Sequence, residues 1–194
     1  MRIVIVGTSG SGKSTLAAAL AEAQQVPLIE LDALYWGPNW TPRPSDEFRL
    51  AIESATAAPS WVLDGNYTAH RPITWARATH VVWLNYSRAR VCWQIINRTI
   101  KRVLRRKRLW AGNRETWRKA FLSRQSIIWW SLKTYGKNQR KYATLRADDH
   151  YSHLKWLEIA VPWQANEILR ELARLTPNPP LEAMTTAATR PVRL

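Results

Sequence analysis

Gly7-Thr8-Ser9-Gly10-Ser11-Gly12-Lys13-Ser14 is the stretch that decides the fold. It reads G-x-x-x-x-G-K-[ST], the pattern of a phosphate-binding P-loop. Its flanks match what that loop needs. Arg2 to Val6 before it is a short β-branched run that predicts a buried parallel strand. Thr15 to Ala23 after it is rich in strong helix formers and predicts a helix. Glycines at 7, 10 and 12 free the backbone to turn successive N–H groups inward. Together with the helix N-terminus and the intervening Ser9 and Ser11, those groups form a nest for phosphate oxygens. In such a loop Lys13 reaches the β- and γ-phosphates of a nucleoside triphosphate. Ser14 places its hydroxyl on Mg²⁺, and Thr15 lies near the α-phosphate.

The 194 residues suffice for one domain with a proper core. The single cysteine, Cys92, rules out an internal disulfide and fits a reducing compartment. The chain begins directly with a strand, and no apolar run approaches the ~18 residues of a membrane span. A cytoplasmic enzyme without a membrane partner is therefore expected. Net charge is +15, and it is concentrated. Arg88 to Arg146 carries eighteen Lys or Arg against one acid, Glu115, which reads as a polyanion site. Twelve tryptophans are spread along the chain. Most are read as packing, with Trp36 and Trp40 the best placed to meet a substrate or base.

Strands alternate with helices from end to end, which predicts an α/β fold with a parallel sheet. Val26 to Leu31 reads as a second strand, with Asp32 at its carboxyl end, facing the crevice where α/β proteins bind ligands. Asp32 is accordingly a candidate base or substrate ligand, weighed against a turn or cap aspartate. Ala33 to Pro44 is rich in Pro, Gly and Trp and reads as an irregular aromatic loop. Ser45 starts a helix that runs to about Ala58.

Ser60 to Leu63 is the third strand, and Asp64 at its end is placed to support Mg²⁺, through a water. Arg71 follows as a candidate for a phosphate or carboxylate. His80 to Leu84 is the fourth strand. From Arg88 a long helix carries a stripe expected to be buried (Val91, Cys92, Ile95, Ile96, Thr99, Val103, Leu104). Arg98, Lys101 and Arg102 project elsewhere. Trp110 to Asn113 breaks the chain, and Arg114 opens a second basic helix. The pair is read as a lid over about residues 98 to 140. His153 to Ile159 is a fifth strand, and Gln164 to Leu175 closes a single domain of residues 1–175. Thr176 to Leu194 is read as a flexible tail.

Several of these segments are similar to one family. The P-loop, Leu31-Asp32-Ala33-Leu34-Tyr35-Trp36 with Pro38-Asn39-Trp40, Asp64-Gly65-Asn66-Tyr67 and Gly112-Asn113-Arg114-Glu115 resemble the adenylate-kinase-related P-loop proteins labelled DNA topology modulation protein (FlaR-like). The resemblance implies a three-layer, nucleoside-monophosphate-kinase-like P-loop NTPase. Its five-stranded parallel sheet would have order 2-3-1-4-5, with a helical lid. It also implies ATP and Mg²⁺ as cofactors. Asn85 and Gln125 depart from the acids usual at those positions, and Asp-Gly-Asn-Tyr differs from the Asp-Gly-Phe-Pro-Arg of adenylate kinases.

The leading expectation is a small-molecule or nucleotide kinase. Lys13 holds ATP, Asp32 serves the acceptor, and Arg114 with Arg98 or Arg102 neutralises the moving phosphoryl group. Two alternatives stay open. One is a nucleic-acid-binding ATPase or regulator using residues 88–146; the other is a nucleotide-dependent interaction protein with negligible turnover.

Overall fold

The protein is described, in a computed structural model, over residues 1–104, 109–113 and 127–174. The expectations placed on Arg114, on Gln125 and on the tail 176–194 lie outside the described residues. Five strands form the sheet: β1 (Arg2–Gly7), β2 (Leu28–Glu30), β3 (Trp61–Asp64), β4 (His80–Leu84) and β5 (Lys155–Ile159). All neighbours run parallel, in the order β2-β3-β1-β4-β5. This is the α/β P-loop NTPase architecture expected from the sequence.

Period-two alternation along β1 builds the three layers. Ile3 and Ile5 face one side, packed with Leu16, Val91, Ile168 and Leu172. Those residues belong to α1 (Lys13–Gln24), α5 (Arg88–Leu104) and α7 (Pro162–Arg174). Val4 and Val6 face the other side with Phe48, Ile52, Trp75, Tyr142 and Leu145. These come from α3 (Ser45–Ala55), α4 (Arg71–Arg77) and α6 (Ile127–Arg146). Both faces are covered, which is why the strands read as continuous apolar runs. Among the described residues no helix is long and apolar enough to cross a membrane.

Three local expectations change. The stretch after β2 is not wholly irregular, because Leu31–Tyr35 forms a short helix, α2. None of its five residues is Gly or Pro, and Gly37-Pro38 then stops it. Asp32 therefore sits in the first turn of α2 rather than at a strand end. A helix not foreseen, α4, opens with Pro72 in its first turn, where a missing N–H costs nothing. Leu104, expected in the buried stripe of α5, is 69% exposed, whereas Val91, Ile95 and Thr99 are buried. Ile95 and Leu104 are nine residues apart, ~2.5 helical turns, so they point to opposite sides.

The P-loop is packed rather than free. A Cβ built on Gly10, whose φ is +88°, would lie 2.6 Å from the Cβ of Ile95 in α5. Ser131 at the start of α6 donates its hydroxyl to the Ser9 carbonyl at 2.6 Å. The roots of both basic helices thus clamp the phosphate loop. Gly136 sits in open space within α6. Gly10→Ala should accordingly destabilise the fold by ~1–3 kcal/mol, whereas Gly136→Ala should stabilise it by ~0.5–1 kcal/mol. Urea unfolding measures both. Equal midpoints for the two variants would contradict this packing.

Candidate functional site

The helix that follows the P-loop begins with its amides open. Gly12 caps α1 in the left-handed conformation (φ 95°, ψ 13°), no side chain caps the helix, and its first turn holds no acid. Unpaired N–H groups and the positive end of the helix dipole are left available for an anion. The Ser11 hydroxyl is fully buried and without a partner. Lys13 folds back over the loop and donates from Nζ to the Thr8 carbonyl at 3.1 Å. Burial lowers its pKa most; Asp64 and Asp32 act to raise it and Arg98 to lower it. These four charges therefore share one crevice.

Asp64 ends β3 beside the P-loop because β1 and β3 are paired with Ile5 opposite Asp64. Its Oδ2 accepts a 2.5 Å hydrogen bond from the Ser14 hydroxyl in the first turn of α1. Its Oδ1 is buried and unpartnered. A hydroxyl and an orphaned carboxylate oxygen side by side fit Mg²⁺, which takes one or two protein oxygens and fills the rest with phosphate and water. Among the described residues no cluster of three or more His, Cys, Asp or Glu offers an all-protein cage.

Asp32 faces the same crevice. Its Oδ1 accepts a 2.7 Å hydrogen bond from the Tyr67 hydroxyl. Burial is the main cause of a carboxyl pKa raised above the ordinary value. The Tyr67 bond opposes that rise, Asp64 adds to it, and Lys13 and Arg98 oppose it further. Burial and the neighbouring Asp32 push the Tyr67 phenol up, so it stays a proton donor. Asn66 donates from Nδ2 to the Gly7 carbonyl at 2.5 Å, fastening the Asp64–Tyr67 loop to the P-loop. Thr15 is exposed in the first turn of α1.

The other candidates are placed as follows. Arg98, on α5, acts electrostatically on both Lys13 and Asp32. Arg102, one turn further along, is half-buried. Trp36 and Trp40 stand in an aromatic ladder, with Tyr35 edge-on to Trp36 at 4.7 Å, Trp36 to Trp40 at 5.7 Å and Trp40 to Trp110 at 6.4 Å. Arg71 starts α4 and lies over the Trp75 ring at 5.3 Å.

Sequence reasoning passed over two polar anchors. Tyr67 stands in the Asp64-Gly65-Asn66-Tyr67 motif, yet its partner Asp32 is 35 residues away, a pairing no local pattern announces. Asn113 reaches from the Trp110–Gly112 turn to the aromatic loop. It accepts from the Trp40 amide at 3.0 Å and donates to the Gly37 carbonyl at 2.9 Å. The sequence marks Asn113 as part of a turn and of the Gly112-Asn113-Arg114-Glu115 motif, but neither announces these partners.

No family model and no curated protein matches the sequence. Among solved structures, similarity is found to a gluconokinase from Sinorhizobium meliloti. The identity is 22%, coverage is 96% of each chain and the TM-score is 0.48. A sugar kinase from a Janibacter species is similar at 16% identity, over 90% of this chain and 95% of that one, with TM-score 0.49. An uncharacterised protein from Eubacterium ventriosum is similar at 14% identity, over 89% and 98%, with TM-score 0.48. Such values are silent on substrate and chemistry.

Proposed function

We propose that the protein is an ATP-dependent phosphotransferase acting on a small molecule, in keeping with the FlaR-like, kinase-related resemblance of its motifs. The observation that carries this reading is the placing of an uncapped helix N-terminus, half-buried Lys13, the Ser14–Asp64 pair and half-buried Asp32 in one crevice. The first three are what a nucleoside triphosphate requires. The fourth is what a hydroxyl acceptor requires.

In this reading the β- and γ-phosphates lie against the amides of Gly10 to Ser14 and the Lys13 ammonium. Ser14 and Asp64 would hold Mg²⁺, which would supply positive charge to offset that of the phosphates. The acceptor oxygen attacks the γ-phosphorus as the bond to the β–γ bridging oxygen breaks, and the acceptor proton passes to Asp32. Tyr67 holds that carboxylate in place. Its raised pKa makes Asp32 a better base than a solvated aspartate. Arg98 adds positive charge on the same side, and Arg114 and Arg102 are proposed to complete the clamp on the transferring group. Trp36 and Trp40 are proposed to wall the acceptor site.

A second reading, single-stranded nucleic-acid binding, is favoured by one observation. The α5 and α6 segments carry ten Lys or Arg and no acid, with Trp93, Trp129 and Trp130 exposed among them. Binding of an oligonucleotide without ATP, weakening steeply with salt, would select it.

Two outcomes test the kinase reading. Lys13→Ala should lower ATP turnover by about 100-fold or more while the fold persists; steady-state rates equal to wild type would overturn it. Asp32→Asn should separate activity from stability. With a folded pKa above the unfolded one, the carboxyl stabilises the fold when protonated, and that stability is lost as pH rises through the raised value. Above that value ionised Asp32 therefore costs stability. The asparagine variant should melt at the same or higher temperature yet turn over about 100-fold more slowly. A cap or turn aspartate predicts the reverse, a lower melting temperature with normal turnover.

A further inference from the structure

A second cluster of polar groups lies beside the crevice, in a cleft between α4 and α6. It is lined by Asn66 and Tyr67 from the loop after β3, Arg71 and Trp75 from α4, and Lys141 and Tyr142 from α6. None of its ten lining residues is Asp or Glu. Arg71 and Lys141 are close enough to act on each other, and neither is ion-paired among the described residues. Burial, then Arg71 and Lys137, hold the Lys141 ammonium down at about 8. Its Nζ donates to the Thr68 hydroxyl at 2.9 Å. Tyr142 is 1% exposed, and its hydroxyl has no hydrogen-bond partner. Asn66 has spent Nδ2 on the Gly7 carbonyl, and its Oδ1 is buried and unpartnered.

Two cations held together without an acid repel each other, and a buried hydroxyl without a partner costs desolvation. A bound anion removes both penalties, since it accepts from Arg71, Lys141 and Tyr142 at once. Lodging the cations against aromatic rings accounts for part of the arrangement: Lys141 Nζ lies 5.2 Å from the Tyr142 ring centroid. It leaves the two orphaned atoms unexplained. The cleft adjoins the reacting crevice, because Tyr67 lines it and donates to Asp32. The cleft leaves about 10 Å³ for the centre of a water-sized group, room for one such group. One oxygen of an anionic group can therefore enter while the rest of the molecule extends through the mouth.

We propose that this cleft seats an anionic group of the phosphate acceptor, which is thus a hydroxylated small molecule bearing a carboxylate or a phosphate. The assignment rests on the kinase reading for the word acceptor and on the cleft alone for the anion. Asn66 Oδ1 accepts from a hydroxyl next to the anionic group, and Asp32 takes the hydroxyl to be phosphorylated.

The test needs no turnover. Lys141 of the whole protein is acylated with acetic anhydride near pH 8, and its modification is read by peptide mass spectrometry. Gluconate or glycerate (carboxylates) and glucose 6-phosphate or inorganic phosphate (phosphates) are compared with glucose and glycerol. Protection of Lys141 by either anionic class, and not by the neutral polyols, is expected; the class that protects at lower concentration names the group. Tyr142→Phe should raise the protecting concentration about tenfold. It should leave the melting temperature unchanged or higher, because the orphaned hydroxyl is gone. Unprotected Lys141 with all four anions, equal protection by glucose, or a Tyr142→Phe variant that melts lower yet protects like wild type overturns the assignment. Because labelling is independent of ATP, the anion site can fail while the Lys13→Ala result stands, and the converse.

Discussion

The pairing of Ile5 with Asp64 in adjacent parallel strands is the constraint on which the rest depends. Parallel pairing fixes both chain direction and register, so the two strands end at one edge of the sheet. There β1 runs into the glycine loop and β3 into Asp64-Gly65-Asn66-Tyr67. A one-residue slip would turn Asp64 to the other face and would part its carboxylate from the Ser14 hydroxyl, which it meets at 2.5 Å. The same edge receives Asp32, because β2 pairs with β3 and ends at Glu30, opposite Asp64. The crevice is thus a consequence of strand order, with the side chains of three separate segments converging where their strands stop.

Opposite charges meet at that edge. Lys13 and Arg98 face Asp32 and Asp64, two positive groups against two negative, before any ligand adds its own charge. The surplus lies in the helices rooted on the P-loop, where α5 and α6 carry no acid. Burial sets the working states of the central groups more than any single partner does: it lowers Lys13, raises Asp32 and raises Tyr67. The proposed phosphoryl transfer would ask for positioned charge with few covalent steps by the protein, which a loop clamped by the Gly10–Ile95 and Ser131–Ser9 contacts would suit.

What could be read from the sequence was whatever is written locally. The P-loop, the strands and the sheet class follow from glycine spacing and apolar runs, because those patterns act over a few residues. The apolar pattern of α5 does not hold its phase along the whole helix: nine residues separate Leu104 from Ile95 and turn it to the opposite side. The short helices α2 and α4 were hidden by proline, glycine and tryptophan nearby, which mark breaks more strongly than short helices mark themselves. Long-range polar pairs left no trace. Tyr67 with Asp32 and Asn113 with Gly37 and Trp40 exist only once the chain is folded. Lys141 was one more charge in a basic run until α4 brought Arg71 to the same cleft.

The most direct measurement is calorimetric titration of the wild-type protein with ATP, ADP and AMP, each with Mg²⁺. On the proposed reading an open helix N-terminus, Lys13 and the Ser14–Asp64 pair would act on the β- and γ-phosphates, so affinity should fall in the order ATP, ADP, AMP, with one site per chain and a requirement for Mg²⁺ that is strongest for ATP. Equal affinity for AMP and ATP, or no binding of ATP at millimolar concentration, would contradict the account.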